Sequence, residues 1–215
     1  MPWWSLLGWA GLLVILWRTW PAEFWPKLKA EPDYQHLVFA SAVVLFILWL
    51  MQASIYDGLA VHFLAITVLT LCHGWRIASW ICLLPFAVLL ALGLVPLADG
   101  GWFALTTFVL PALFSGLIFW FSYYYLPRHL FVYIFVAAFF AAALTMLLHM
   151  GLTAAWLFLD GRYPWHIIQD NYLLLALLIS FPEALLNGMA VTLMALYRPH
   201  WLRTFYDNEY LSTPP

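Results

Sequence analysis

Charge is what this chain has least of. Only 8 % of its 215 residues are Asp, Glu, Lys or Arg, where a soluble domain carries about 25 %. Together with 66 % hydrophobic residues, that scarcity excludes a soluble domain and predicts an all-α, polytopic membrane protein: a single transmembrane domain over residues 1–215. Cysteine is nearly missing too. Cys72 and Cys82 are the only two, which excludes a disulfide framework and any Cys-x-x-Cys metal pair; both are expected as reduced thiols. Eight basic residues against ten acidic ones leave no surface for nucleic acid. No G-x-x-x-x-G-K-[ST] segment occurs, so the chain is not expected to be an enzyme, and ATP hydrolysis would belong to another subunit. The first apolar segment lacks a basic leading region and a small-residue cleavage site, so it is expected to remain as a span.

What is present is a series of long apolar runs broken by turn residues. About seven spans are expected, at Trp4–Leu16, His36–Ile55, Leu59–Leu71, Ile77–Leu97, Trp102–Leu126, Leu130–Leu159 and Tyr172–Tyr197. The first and third are short against the roughly 20 residues a bilayer requires, and the third is expected to begin in a polar cavity or a re-entrant turn. In this layout Arg18, Lys27, Lys29, Arg76, Arg128, Arg198 and Arg203 share one side, and Arg162 alone of the eight basic residues takes the other. The positive-inside rule then puts the N-terminus outside and the C-terminus in the cytoplasm, in the inner (plasma) membrane.

The same layout collects acids and imidazoles on the outer side. Asp57 and His62 lie at the outer end of the third span, Asp99 in an outer loop, and His149 in the outer half of the sixth span. These four are the candidate metal ligands. Their combination of imidazole and carboxylate suits nickel, cobalt, zinc or copper, with nearby Met51, Met146 and Met150 favouring Cu(I). Thr145, His149 and Thr153 share one helical face, as do Ser180, Glu183 and Asn187. Glu183 is the sharpest anomaly, a carboxylate in the middle of an apolar run, where it costs several kcal/mol unless paired, protonated or wet. Glu183 and Asn187 are therefore candidates for a gate or relay. Small residues at four-residue spacing, Ala112 with Gly116 and Ala184 with Gly188, mark close helix docking.

Three motifs in order carry a family resemblance. Ala98-Asp99-Gly100-Gly101-Trp102-Phe103-Ala104-Leu105 resembles the Asp-Gly-Gly-x-x-Ala-Leu-Gly segment of the CbiM/NikM family. Gly58-Leu59…His62-Phe63-Leu64…Leu69…Leu71…Gly74 resembles its His-Leu-Gly-Ala helix, and Phe181-Pro182-Glu183-Ala184-Leu185…Gly188…Arg198-Pro199 its Pro-Glu-Ala…Gly…Arg-Pro segment. The resemblance is strongest over residues 58–199. It implies the substrate-capture permease subunit of an energy-coupling-factor ABC transporter for cobalt or nickel, with ATPase and transmembrane coupling subunits as partners in the lipid bilayer.

In that family the ion is held outside by an N-terminal Met-His segment and by the histidine matching His62. This chain begins Met1-Pro2-Trp3-Trp4. It lacks the second-position histidine, and Pro2 in a peptide bond has no N–H to lose. Thr106 and Phe108 also replace the family's Gly and Asn. Two other classes fit the composition. One is a haem-binding redox anchor using His62 with His149, or His73 with His129. The other is a non-transporting scaffold that has lost the metal.

Overall fold

The computed structural model describes residues 3–54, 56 and 58–210. Among the described residues there are helices and no strands, which agrees with the all-α expectation. Helix α1 (Trp3–Arg18) leads through a short α2 (Phe24–Ala30) into α3 (Pro32–Leu50), which starts with proline in its first turn, where a missing N–H costs nothing. A helix α4 (Ile66–His73) meets α5 (Trp75–Ala91) at a bend of 119°. Three long helices complete the bundle: α6 (Gly100–Tyr125), α7 (Leu130–Leu159) and α8 (Trp165–Tyr197).

Four helices, α3, α6, α7 and α8, are long and apolar enough to cross a membrane, and α4 with α5 makes a fifth candidate as a bent pair. Helix α1, with 16 residues, is apolar but shorter. The expected third span is shorter than Leu59–Leu71, while its expected start at a polar cavity agrees with Gly58, Ala60 and His62 lining one. Helix starts only at Ile66, so the half expected from Leu59 is not helical. The described residues between 51 and 65 instead form an irregular segment that turns Leu59, His62 and Leu64 inward, closed by an antiparallel bridge between Ala53 and Val61 (N···O 3.0 and 2.8 Å). Gly58 turns it at φ 83°.

An eight-residue helix cannot satisfy its own ends, because its first N–H and last C=O groups have no partner within it. Distant segments serve both ends of α4. At the C-terminal end, Arg203 N–H donates to the carbonyl of Cys72 (3.2 Å) and Thr204 N–H to that of Leu71 (3.3 Å). Gly74, at φ 82°, then turns the chain back into α5. The same end gathers the Arg76 bonds to the carbonyls of Thr19 and Trp20, the contact of His73 Nδ1 with the Tyr34 hydroxyl, and the Arg128–Glu209 pair.

The opposite end is held by tryptophan. The indole of Trp102 donates to the Trp4 carbonyl and that of Trp9 to the Leu97 carbonyl. Between them the backbones of α1 and α6 nearly touch: a Cβ on Gly101 would run into the main chain of Gly8 and Trp9. The Asp-Gly-Gly segment thus has a packing reason, since the second glycine lets two helices cross.

Candidate functional site

Between α6, α7, α8, the loop around Gly93–Pro96 and the inward-folded segment lies a cavity of about 400 Å³. Gln52, Ser54, Pro96, Asp99 and Arg162 are among the residues around it at the Arg162 end; deeper, it is lined by His62, Phe103, Thr106, His149, Thr153, Trp156 and Tyr172. The two histidines reach it from unrelated elements, yet their ring centroids are 5.6 Å apart. Both are buried, at 4 % and 3 % exposure. Trp49 and Phe103 lie beside the His62 ring.

Each ring is anchored through Nδ1 to a backbone carbonyl. His149 Nδ1 donates to Thr106 (2.9 Å) and His62 Nδ1 to Phe63 (3.2 Å). A carbonyl only accepts, so Nδ1 carries the proton and Nε2 carries the lone pair in both rings. An imidazole set up in this way has the tautomer and orientation of a metal ligand.

The Thr106 carbonyl is available for a reason written in the sequence. Leu105–Val109 forms a π-type turn within α6, in which the Leu110 N–H bonds the carbonyl of Leu105, five residues back. In that register the Thr106 carbonyl points toward residue 111, which is proline and has no N–H. His149 supplies the missing donor. One turn further along α7, Thr153 adjoins Tyr172, while Thr145 is buried one turn the other way. The stripe expected from spacing therefore faces the interior.

His62 is placed by Glu183. The Glu183 carboxylate, 1 % exposed, accepts the N–H of Leu64 at Oε2 (3.0 Å) and that of Ala65 at Oε1 (2.8 Å). Asn187, one turn on, donates to Glu183 Oε1 (2.8 Å) and accepts the N–H of Val68 (2.9 Å). Ala65 has a left-handed backbone (φ 52°), an uncommon conformation for a residue with a Cβ. Two side chains of α8 thus cap the N-terminus of α4, where the helix dipole favours a negative group, and fix the segment that carries His62. The cost expected for a carboxylate in an apolar run is met by three donors.

Asp99 lines the same cavity, bound to Arg162 through two N–H···O contacts of 2.9 Å each, with Asp160 on the same guanidinium (2.8 Å). Asp99 foremost, then Asp160, holds the Arg162 guanidinium above its ordinary range. The side chains are 22 % to 31 % exposed in the Asp99 pair, so solvent limits that pair to about 1 kcal/mol. Among the described residues no three of His, Cys, Asp and Glu converge as a metal cluster. The expected partner Asp57, like the Met1-Pro2 start, lies outside the described residues.

The docking glycines have their neighbours within the chain. A Cβ at Gly116 would stand 3.1 Å from Trp75, and one at Gly188 3.4 Å from Phe139; Ala112 and Ala184 are fully buried. Of the inner histidines offered to a haem, His73 is turned onto Tyr34 and His129 accepts the Phe131 N–H at the start of α7. Cys72 and Cys82 are buried free thiols.

Three features escaped the sequence reading: the Arg162 clamp, the role of Pro111, and the identity of the backbone amides that Glu183 caps. The first had a signal, since Arg162 is the one basic residue expected on its side, among acids. The second had one in the proline itself. The third had none, as Leu64 and Ala65 take part through backbone atoms alone.

The family model CbiM, described as the cobalt uptake substrate-specific transmembrane region, matches residues 1–201. No curated protein and no solved structure matches the chain.

Proposed function

The chain belongs to the CbiM family of cobalt-uptake substrate-specific transmembrane regions, and from that premise we propose that it captures a transition-metal ion of the cobalt and nickel class between His62 and His149. Family and apolar helices together make it a multi-pass transport component of the plasma membrane. The finer assignments are our reading: an energy-coupling-factor system, the N-terminus outside, and capture from the outer side. Gathering of Arg76, Arg128 and Arg203 at the end opposite Arg162 supports that orientation.

One observation carries the site: two buried imidazoles from different elements line one cavity with ring centroids 5.6 Å apart, each with Nδ1 held by a carbonyl. Imidazole nitrogen suits nickel, cobalt, zinc and copper alike. Geometry and availability then select among them. The ion is the cargo, so the site must also release it. His62 lies on the segment that Glu183 pins, so movement of that segment breaks or carries the bonds to Leu64 and Ala65. We assign Glu183 and Asn187 as positioning residues whose release opens the path toward the Arg76 end. ATPase and transmembrane coupling subunits would supply the driving force.

Elemental mass spectrometry of the purified chain tests this reading, with wild type beside His62→Ala after loading with nickel or cobalt. Near-stoichiometric metal in wild type and its loss in the variant is the expected result. Iron with a haem absorption band would favour the redox anchor, and no metal in either sample the scaffold.

A further inference from the structure

The cavity is larger than an ion needs. Six waters around a divalent ion occupy about 180 Å³ at about 30 Å³ each, less than half of the roughly 400 Å³ available. Pockets for small organic ligands begin at about 300 Å³. The lining also has the composition of an organic site. Phe103, Trp156 and Tyr172 offer ring surface, and Thr107 and Thr153 offer hydroxyls. Trp156 is held rigid by stacking on Trp102 at 4.6 Å.

The donor set points the same way. The two imidazoles fill two positions of an ion that takes four to six ligands. The described residues bring no third His, Cys, Asp or Glu into a cluster with them. An ion held by that pair would have the rings and hydroxyls of the cavity wall around it.

Charge at the rim narrows the choice. Arg162 is already shared between Asp99, which lines the cavity, and Asp160 beside it, so among the described residues these three groups leave the rim negative by one. Such a rim admits a cationic or neutral complex and repels an anionic one. A divalent ion with one monoanionic ligand stays cationic. The same ion with a tricarboxylate does not.

We propose that the cargo enters as a complex of the metal ion with one small amino-carboxylate chelator, the chelator filling the cavity beside the His62–His149 pair. The chelator's amine and carboxylate complete the coordination, and the ring and hydroxyl wall holds its organic part. This rests on the capture site proposed above.

The test is equilibrium dialysis of the full chain in detergent with ⁶³Ni(II) at buffered free concentration, alone and with ¹⁴C-labelled L-histidine or citrate as probe. Metal retention at the same free nickel is expected to rise at least about tenfold with histidine. Labelled histidine should be retained only when nickel is present, at one per ion, and citrate should give no gain. Both labels should be lost in His62→Ala. Nickel retained equally without histidine, with no ¹⁴C bound, overturns the proposal and leaves the capture site standing. Nickel retained under no condition overturns the capture site itself.

Discussion

His149 Nδ1 and the Thr106 carbonyl oxygen lie 2.9 Å apart, and Pro111 is what leaves that oxygen free for the contact. Restoring an N–H at position 111 should therefore loosen the imidazole. Pro111→Ala offers Thr106 a backbone donor in the π register. The expected result is a drop in metal affinity of about tenfold, equal to about 1.4 kcal/mol, with the helix retained. Metal titration measured beside thermal unfolding separates loss of orientation from loss of fold. Unchanged affinity would mean that His149 is oriented by something else.

Glu183→Ala removes the acceptor for the amides of Leu64 and Ala65 and one partner of Asn187. Hydrogen bonds to a charged group are worth about 1.5–3 kcal/mol each, and buried amides left unpaired add their own penalty. Destabilisation of several kcal/mol is expected, with fast hydrogen exchange at residues 64 and 65. Glu183→Gln keeps one acceptor oxygen and should fall between. Slow exchange at both amides in Glu183→Ala would remove the cap from the account.

Two glycine substitutions should act in opposite directions. Gly101→Ala puts a methyl group into the main chain of Gly8 and Trp9, which cannot move aside as a side chain can. Its cost is expected at about 1–3 kcal/mol. Gly151→Ala, in the interior of α7 with open space around it, gains about 1 kcal/mol of helix propensity. Thermal unfolding of the pair in one detergent checks both signs; equal shifts would contradict the tight α1–α6 crossing.

Arg162→Gln makes the rim more negative by one unit, since Asp99 and Asp160 remain. Faster association of a divalent cation is expected, with the difference largest at low salt and fading above about 0.15 M ionic strength. Stopped-flow association measured across salt concentrations reads it. An association rate independent of this charge would place the entry route away from the Arg162 end.

Much of this was open to inspection in the chain. Periodicity placed Thr145, His149 and Thr153 on one face, and Ser180, Glu183 and Asn187 on another, because a helical repeat dictates both. Scarcity of charge made Glu183 conspicuous, and the basic residues sorted the two ends. What it did not reveal lies in backbone chemistry. The shortness of the third apolar run pointed to a cavity or a re-entrant turn at its start, but nothing in the side chains from Leu59 to Ala65 says that helix begins only at Ile66. That follows from a carboxylate 119 residues away taking the Leu64 amide. The π turn at Leu105–Val109 left only Pro111 as a signal, since the shift in bonding that a proline brings to the preceding turn is written in the backbone. Asp99 was legible as an acid on the Arg162 side, but its clamp on Arg162 required the fold.

The most direct test of the central claim is X-ray absorption of the nickel- or cobalt-loaded chain, counting imidazoles by their multiple-scattering pattern. Two imidazoles per ion in wild type, falling to one in His149→Ala with the protein still folded, is the predicted result. A wild-type count of zero, or a count unchanged by His149→Ala, would show that His62 and His149 do not share an ion.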